Sequence, residues 1–377
     1  MDKVTVAHVK DRFLPKSETF IYTLITSLKQ YHAIVLDRYQ AQNTTTFPFS
    51  EHFSPAFQFS SWGSYAERGT LRIFKVSPYL ERVIKQQNVS LIHAHFGQLG
   101  ALFLPVARRH HLPLITSFYG KDISVFTQDP QWKSRFTGLW ECGALFCVLG
   151  QNMAADLEKA GCPENKIVIL PLSIDMNKFA FTPHPKPAAD KITKLLTVGR
   201  LIPKKGIDVL LKALASCPES IHLIVAGDGA ERQNLELLAN KLNLADRVSF
   251  TGWVTNEGVS QLMEEVDVFV LASRTDPKTG EAEGTPTVLL EAQAKGLPII
   301  TTIHADIPTI INNEAKRFLV PEDNSDLLAV AIQELCTLSA ENWLELGHAG
   351  RQFVANTHDK NVVGLQLESI YDSLIES

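Results

Sequence analysis

Short apolar runs alternate with amphipathic segments along the first half of the chain. The apolar runs are separated by stretches with helical spacing, such as PYLERVIKQQ and ALFLPVARRH. Runs of this length between amphipathic helices are typical of a parallel sheet covered on both faces. The pattern predicts an α/β, doubly wound, Rossmann-like unit. Its strands are VTVAHV, AIVLD, VSLIHAHF, LPLITSFYG and IVILPLSID.

The same alternation starts again in the second half, with KLLTVGR, IHLIVAGDG, RVSFTG, DVFVLAS and LPIITT as strands. Three prolines in AFTPHPKPAADK favour a linker between the halves. We predict a first domain over residues 1–179, a linker over 180–190 and a second domain over 191–359. The helix over 360–377 is expected to cross back to the first domain. Two such domains facing a central cleft would bind ligands at the carboxyl ends of their strands.

Composition supports two domains and excludes some classes of function. A chain of 377 residues is too long for one ordinary core, and its 45 % apolar and 20 % charged residues are ordinary for a soluble protein. No long apolar run predicts a membrane span, and MDKVTVAHVKDRF lacks the features of a signal peptide, so we expect a cytoplasmic protein. Residues 1–178 carry a net charge of +5 and the remainder −10. This excess is too weak to indicate nucleic-acid binding.

Five scattered cysteines and twelve histidines offer few candidates for a metal site. The odd cysteine count favours buried thiols in a reducing compartment, and no His or Cys cluster completes a set of metal ligands.

Glycines and charged residues follow the predicted strands of the second half. Gly199 and Arg200 end the first of these strands and Lys205 follows, so the backbone can approach a ligand while two cations bind phosphate. The alternative is a simple turn before a solvated helix start. Gly227 opens half of a G-x-G-x-x-G pattern, but Arg232 stands at the third glycine, which makes this motif weak evidence.

A third motif, EGTPTVLLE, contains two carboxylates eight positions apart. Gly284, Thr285 and Pro286 form a loop entering a helix, whose first amides and dipole can hold a diphosphate. Glu291 is placed two turns inside that helix, where it suits a ribose diol, and Glu283 suits sugar hydroxyls. A capped helix with one exposed acid is the alternative. The base would then be held by the backbone near Gly252, Trp253 and Val254.

Together, VGRLIPKKGIDVLLKAL, VAGDG and EGTPTVLLEAQAKGLPIITT resemble the donor domain of glycosyltransferase family 4, which has the GT-B fold. The Glu–x7–Glu spacing from Glu283 to Glu291 is the hallmark of that family. The resemblance implies that Arg200 and Lys205 bind the donor diphosphate, Glu291 the ribose and Glu283 the transferred sugar. It also implies transfer with retention and without a metal or cofactor, the donor being a UDP- or GDP-sugar.

In the first half, PKSETFI, HAHFG and SFYGKDIS resemble a subgroup of this family that builds exopolysaccharide and lipopolysaccharide. The resemblance places Lys16, Ser17, Glu18 and Thr19 on the acceptor side. Many members have a histidine where Tyr119 stands, and that histidine contacts the donor sugar. A tyrosine hydroxyl can still form a hydrogen bond, and Asp122 and His95 are the neighbouring catalytic candidates. A satisfied strand-end histidine is the alternative for His95.

A glycan or lipid-linked glycan is the expected acceptor. The irregular aromatic segment 47–62 suggests a loop that grips it or contacts the inner face of a membrane. Without a clear protein nucleophile, retention favours substitution from the face of the leaving group. A non-hydrolysing nucleotide-sugar epimerase and a non-catalytic nucleotide-sugar-binding regulator are the alternatives.

Overall fold

The computed structural model describes residues 3–13, 19–39, 41–55, 77–127 and 129–375. The chain forms two compact units, one comprising Met1–Ser173 with Lys360–Ser377 and the other Ile174–Asp359. Each unit has its own sheet flanked by helices, so the α/β class with two Rossmann-like units is confirmed. None of the helices in these described ranges is long and apolar enough to span a membrane.

The first unit contains a seven-stranded sheet in which all paired strands run parallel. Its strands are β1 (Val4–Lys10), β2 (Tyr31–Asp37), β3 (His52–Phe53), β4 (Val89–His95), β5 (Leu114–Ser117), β6 (Leu145–Val148) and β7 (Ile167–Ile169). They lie in the order β3-β2-β1-β4-β5-β6-β7. Because helices cover both faces, successive residues of β1 and β4 are buried without alternation.

Helices of the first unit begin and end at recognisable signals. They are α1 (Thr19–Thr26), α2 (Pro78–Gln86), α3 (Gly97–Arg109), α4 (Lys121–Ser124), α5 (Pro130–Cys142) and α6 (Gln151–Lys159). The side chain of Asp129 caps α5 and Pro130 occupies its first turn. At the other end, Lys166 Nζ donates to the carbonyl oxygens of Trp140, Glu141 and Gly143.

The second unit contains a six-stranded parallel sheet. Its strands are β8 (Thr193–Val198), β9 (Ile221–Ala226), β10 (Val248–Gly252), β11 (Val268–Leu271), β12 (Ile299–Thr302) and β13 (Leu319–Val320), in the order β10-β9-β8-β11-β12-β13. Its helices are α7 (Ile207–Ala215), α8 (Arg232–Lys241), α9 (Asn256–Glu265), α10 (Thr287–Lys295), α11 (Ser325–Thr337) and α12 (Ala340–Thr357). The strand order reverses between β8 and β11, where ligands bind in such folds.

The last helix, α13 (Lys360–Ile375), belongs to the first unit. Its residues Val363, Leu367 and Tyr371 are fully buried in the same core cluster as Val6 and Leu91 of the first sheet. Glu368 Oε1 accepts the backbone N–H groups of Lys29 and Gln30, the second at 2.6 Å. These contacts attach the C-terminal helix to the turn before β2.

Several details differ from the sequence-based expectations. The second unit begins at Ile174, so residues 174–179 and the predicted linker 180–190 belong to it. Thr182 there donates its backbone N–H to Lys295 O at the end of α10, which packs this proline-rich stretch on its own unit. The cysteines are free, as expected, but Cys142 is exposed and Cys336 half-buried, so not all of the thiols are buried.

Candidate active site

Three glycines lie side by side at the carboxyl edge of the second sheet. Gly199 donates its backbone N–H to Ala226 O at 3.0 Å, and Gly227 donates to Gly252 O at 2.9 Å. The ends of β8, β9 and β10 are thus joined by hydrogen bonds beyond the regular ladder. A β-carbon on Gly227 would overlap the carbonyl oxygen of Gly199. Glycine is therefore required at residue 227 for the strand ends to approach, whatever ligand binds there.

Gly227→Ala is expected to lower the free energy of unfolding by at least about 2 kcal/mol, because the methyl group meets backbone atoms and φ at this residue is +146°. Gly138→Ala in α5 is the matched control, since a β-carbon there meets nothing within 4 Å. A helix-interior alanine stabilises by roughly 0.5–1 kcal/mol relative to glycine. Thermal melting of both variants checks the opposite signs, and a Gly227→Ala protein as stable as wild type would contradict the expectation.

Lys205 connects the first strand end to the acidic motif. Its side chain crosses over Gly199, where a β-carbon would lie 3.7 Å from Lys205 Nζ. The same Nζ lies 2.8 Å from Glu283 Oε2, and both side chains are largely buried. Although burial opposes the charged form of Glu283, Lys205 and Lys204 hold the pKa of Glu283 below its ordinary value. The carboxylate is therefore ionised at neutral pH.

Two further charged residues at this site were not predicted from the sequence. Lys204 is buried, and its Nζ lies 2.9 Å from Glu281 Oε1 and 4.0 Å from Glu283 Oε1. Two lysines in the loop after β8 thus pair with two glutamates in the loop after β11. The Lys204–Lys205 doublet and the acidic EAEG stretch were the sequence signals that could have indicated this pairing.

His304 fixes the backbone of Glu283. The Glu283 N–H donates to His304 Nε2 at 2.9 Å, and His304 Nδ1 lies 2.6 Å from Glu322 Oε1. Because Nε2 accepts, the imidazole hydrogen is on Nδ1 and is donated to Glu322. Glu322 in turn accepts the Thr275 N–H through Oε2. These hydrogen bonds attach the acidic loop to the segments that follow β12 and β13. The sequence signal for His304 was a polar residue shortly after the strand LPIITT.

The start of α10 is open to a ligand. Pro286 occupies the N-cap, and no side chain caps the helix, whereas Thr255, Asn324 and Ser339 cap α9, α11 and α12. Thr285 is buried, and its Oγ1 has no hydrogen-bond partner within the described ranges. Unpaired amides at a helix start attract anions, and a buried hydroxyl without a partner can donate to one. These two features make the loop at Gly284 suited to an anion.

Glu291 lies four residues after Thr287, the first residue of α10, so it is about one turn inside the helix and not two. Its side chain is partly buried and forms no ion pair among the described residues. Burial raises the pKa of Glu291 to about 7, and a hydrogen bond with Thr287 opposes that rise. Hydrogen bonds donated by a ligand would therefore favour the ionised form of this carboxyl group.

The raised pKa of Glu291 predicts a pH dependence of stability. An acid whose folded-state pKa is raised contributes stability below its ordinary pKa of 4.5, and that contribution is lost as pH rises through about 7. Relative to Glu291→Gln, the wild type should lose up to about 3 kcal/mol between pH 4.5 and pH 7. Thermal melting across this range measures the difference, and parallel profiles for the two proteins would contradict it.

The remaining predicted donor-side residues are arranged around these elements. Arg200 is exposed and forms no ion pair within the part of the chain that the structure describes, so its guanidinium is available to an anion. Trp253 follows Gly252 at the end of β10 and is 60 % exposed, and Val254 is half-buried beside Gly258. Lys205 thus lies against both Gly199 and Glu283, and Gly227 and Gly252 lie at the neighbouring strand ends.

In the first unit, several groups converge on Tyr119 after β5. Its Oη lies 2.7 Å from His95 Nδ1 at the end of β4. The rings of Phe20 and Phe96 each lie 5.0 Å from its ring. Asp122 is buried and accepts the backbone N–H groups of Tyr119 at 3.0 Å, Gly120 at 2.9 Å and Gly97 at 3.1 Å. Tyr119 is therefore held by both its backbone and its side chain.

Asp122 ties the Tyr119 turn to the start of α3. Burial raises the pKa of Asp122, and the backbone N–H groups that it accepts partly offset this. Phe96, which precedes α3, has φ +82°, a conformation that costs a bulky side chain of order 1–3 kcal/mol. Lys10 Nζ lies 4.2 Å from the centre of its ring. Such strain beside Tyr119 is typical of a functional site.

His8, His93 and His95 form a buried cluster that the sequence reading did not find. His8 is on β1 and the other two lie two positions apart on neighbouring β4, so all three side chains project from one face of the sheet. His93 Nδ1 lies 2.7 Å from Tyr371 Oη, and His93 Nε2 lies 2.7 Å from Ser117 Oγ. The sequence indicated no His or Cys cluster that completes a set of metal ligands, whereas the structure brings the ligand atoms of these three histidines within 4.8 Å of one another. The sequence signal for this cluster was the HAH alternation, which puts two histidines on the same face of one strand.

The predicted acceptor-side residues are only partly described. Lys16, Ser17 and Glu18 lie outside the described residues, and Thr19 opens α1. Of the aromatic segment 47–62, residues 56–62 also lie outside them. Phe47 and Phe49 pack against Tyr22 and Phe13, with ring centres 5.3 and 5.7 Å apart. These two rings contribute to the core of the first unit.

Comparison with known families accounts for nearly the whole chain. The family described as "Glycosyltransferase Family 4" matches residues 18–178, and "Glycosyl transferases group 1" matches residues 180–353. The chain belongs to glycosyltransferase family 4. Because each half matches a glycosyltransferase family, this protein is a glycosyltransferase, and the family resemblance of its motifs is confirmed.

Similar proteins and structures agree with this assignment. The glycosyltransferase is 28 % identical over 289 residues to the putative colanic acid biosynthesis glycosyltransferase WcaL of Escherichia coli, covering 74 % of this chain and 70 % of that one. It is 26 % identical to the amylovoran biosynthesis glycosyltransferase AmsK of Erwinia amylovora, covering 81 % and 78 %. The crystal structure of Anabaena HepE with UDP superposes with a TM-score of 0.78 at 18 % identity, covering 99 % and 100 %. The GT-B fold is thereby confirmed.

Proposed function

We propose that this glycosyltransferase moves a sugar from a UDP- or GDP-sugar to a glycan or lipid-linked glycan acceptor during synthesis of a cell-surface polysaccharide. The observation that carries the donor half is the set of groups at the edge of the second sheet. Lys205, an uncapped α10 and the Thr285 hydroxyl can bind a diphosphate, and Glu283 and Glu291 can accept hydrogen bonds from hydroxyl groups. The names of WcaL and AmsK support the acceptor class.

In this proposal the roles of the side chains follow their surroundings. Lys205 and Arg200 bind the diphosphate together with the amides of α10. Glu291 accepts from the ribose diol, a contact that favours its ionised form. Glu283 faces the transferred sugar, and its pair with Lys205 supports a role for this cation at the departing phosphate. These cations and helix amides can stabilise the leaving group, which supports transfer without a metal.

For the chemical step we propose substitution with retention at the anomeric carbon. The bond from that carbon to the phosphate oxygen breaks, and the acceptor oxygen attacks from the same face. The acceptor proton goes to the leaving phosphate oxygen. Glu283 stabilises the cation-like sugar electrostatically and forms no bond to it. A covalent sugar adduct on any side chain, detected by mass spectrometry with slow acceptors, would contradict this step.

A screen with UDP-, GDP- and ADP-sugars tests the donor class, since a bound donor raises the melting temperature. The stabilising donor is then incubated with lipid-linked and water-soluble glycan acceptors, with and without EDTA. We expect transfer in both conditions and an unchanged anomeric configuration by proton NMR. Donor binding without any turnover would indicate a regulator, and an epimerised donor without acceptor would indicate an epimerase.

Peripheral contact of the first unit with a membrane remains a prediction. The net positive charge of residues 1–178 supports it, because anionic headgroups attract basic surfaces. Sedimentation with anionic and neutral liposomes tests it, and equal recovery in both supernatants would count against it.

A further inference from the structure

Glu283 lies near the end of a long loop, residues 272–286, that joins β11 to α10. The backbone of so long a loop has many conformations, so contacts with other segments must fix a side chain that acts on a substrate. Several of these contacts come from one turn, Glu322–Asp323, which follows β13 and is named the β13 turn. It contacts the start of the loop directly and the end of the loop through His304.

We propose that the β13 turn sets the position of Glu283 relative to Lys205, and that His304 and Arg274 are the positioning residues through which it acts. His304 connects the turn to the carboxylate, and Arg274 connects it to the segment that carries the lysine. The two charges of the ion pair are thereby held from the same place. This inference rests on the proposed roles of the pair at the transferred sugar and the leaving phosphate.

The first connection runs through the buried side chain of His304. Its Nε2 accepts the Glu283 N–H at 2.9 Å, and its Nδ1 lies 2.6 Å from Glu322 Oε1. A ring that accepts at Nε2 and donates at Nδ1 is neutral, and turning it over would break both bonds. Because an ionised carboxylate can only accept, Glu322 fixes this tautomer. The Glu283 backbone therefore meets an acceptor whose position is set by the β13 turn.

Glu322 also holds the start of the loop. Its second oxygen, Oε2, accepts the Thr275 N–H at 2.8 Å. Between these two points the loop closes on itself, because Asp276 Oδ1 accepts the N–H groups of Lys278 at 2.8 Å and Thr279 at 3.0 Å. One carboxylate thus holds both ends of this loop, the first directly and the second through the imidazole.

The second connection runs through Arg274, whose side chain is largely buried. Its Nη1 lies 2.5 Å from Asp323 Oδ1, and its Nε donates to Pro203 O at 2.9 Å. The Arg274 backbone N–H also donates to Lys204 O at 2.9 Å. Because Pro203 and Lys204 directly precede Lys205, these bonds fix the backbone from which the lysine side chain extends. The planar guanidinium reaches both partners at once, which a single ammonium group cannot do.

A purely structural role for these bonds is the competing interpretation. Arg274 also pairs with Asp208 of α7 at 2.9 Å, and such a network can simply join secondary-structure elements. The two interpretations predict different results in double variants. A structural role lowers activity equally with or without the Glu283 carboxylate, whereas positioning has an effect only while that carboxylate is present. We favour positioning because both connections end at a residue of the ion pair or directly beside it.

Two amide substitutions at His304 test the first connection. Glutamine can place an oxygen near the Nε2 position and keep the bond from Glu283, whereas asparagine can place its amide near Nδ1 and loses that bond. His304→Asn is expected to lower kcat by about tenfold, the effect of one typical hydrogen bond, and to leave binding of UDP or GDP within about twofold of wild type. His304→Gln should retain more of kcat. Equal losses in the two variants would overturn this connection.

The double variant His304→Asn, Glu283→Gln distinguishes positioning from a structural role. In the Glu283→Gln background, His304→Asn should lower kcat by less than about twofold, because the charge that it positions is absent. His184→Asn is the matched control, since it makes the same change at another buried histidine of the second unit, whose Nδ1 contacts Val266 O instead. Its effect should be the same with Glu or Gln at residue 283. Additive losses for His304→Asn would overturn the proposal.

Arg274→Lys tests the second connection. Lysine keeps the positive charge, but it cannot contact Asp323 and Pro203 together, so Lys205 loses its fixed backbone. Binding of UDP or GDP should weaken by about tenfold, and by much less in the Lys205→Ala background. Asp323→Asn, at an exposed side chain whose φ of +55° asparagine also tolerates, should weaken it by about twofold to fivefold. Unchanged affinity in both variants would overturn this connection.

Long-range proton–nitrogen NMR of protein with ¹⁵N-labelled histidine tests the His304 bond without any substrate. We expect a neutral ring with its hydrogen on Nδ1, assigned by the loss of its signals in His304→Asn. A hydrogen on Nε2 would overturn the proposal, because that nitrogen could not then accept from Glu283. If the wild type binds a nucleotide but transfers no sugar, the proposed function fails. The NMR result and nucleotide binding in Arg274→Lys then still decide how the ion pair is positioned.

Discussion

Glu283→Gln is expected to lower kcat/KM for sugar transfer by about 10²- to 10³-fold. The substitution keeps the size of the side chain and the backbone bond to His304, and it removes the negative charge that we propose to act on the transferred sugar. It also releases Lys205 from its ion pair, so binding of the nucleoside diphosphate should not weaken. Initial rates and calorimetric titration with UDP and GDP measure the two effects separately.

Glu281→Gln is the control for this experiment. Glu281 lies two residues away and pairs with Lys204 at 2.9 Å, so it tests for a general effect of removing an acidic partner from this loop. We expect its kcat/KM to stay within about fivefold of wild type, in keeping with the small energy of a single ion pair at a partly exposed site. Equal losses in the two variants would contradict a specific role for Glu283.

Lys205→Ala is expected to weaken binding of the nucleoside diphosphate and to lower kcat/KM by about 10²-fold. The ammonium group is the cation that the structure places beside both Gly199 and Glu283. Its removal costs a charge-assisted contact with the phosphate and leaves the Glu283 charge poorly compensated, and both effects oppose an anionic ligand. Calorimetric titration with UDP or GDP and steady-state kinetics provide the measurements.

Two controls separate this effect from a loss of folding. Lys212→Ala removes an exposed lysine that pairs only with Asp208 of the same helix among the described residues, and its kinetics should match wild type. The Lys205→Ala, Glu283→Gln double variant removes both charges of the pair and should regain stability relative to Lys205→Ala. Diphosphate binding that is unchanged in Lys205→Ala would exclude this lysine from the donor site.

The sequence predicted those parts of the fold that depend on local patterning. Apolar runs between amphipathic helices gave both parallel sheets, because burial on both faces leaves the same pattern in every strand. Glycine and charge at strand ends indicated Gly199, Gly227 and Lys205, since the carboxyl ends of parallel strands meet at one edge. The start of α10 at Thr287 agrees with the predicted entry loop 284–286, whereas Glu291 was placed one turn too deep in that helix.

Contacts between distant segments could not be predicted in this way. The pairing of Lys204 with Glu281 depends on how two loops fold, and that of His304 with Glu322 on the register of β12 and β13. His8 meets His95 only because β1 and β4, more than 80 residues apart in the chain, are neighbours in the sheet. Asp122 illustrates the same limit, because its three backbone partners come from two different turns.

The placement of α13 has a consequence for how the protein is made. Residues 174–359 form a continuous stretch and can fold as soon as they leave the ribosome. The first unit must wait, because Val6 and Leu91 are covered only when Leu367 and Tyr371 have been synthesised. Its apolar sheet face is therefore exposed throughout translation of the second unit. We therefore expect the first unit, although it is synthesised first, to complete its folding last and to present this uncovered face to chaperones in the meantime.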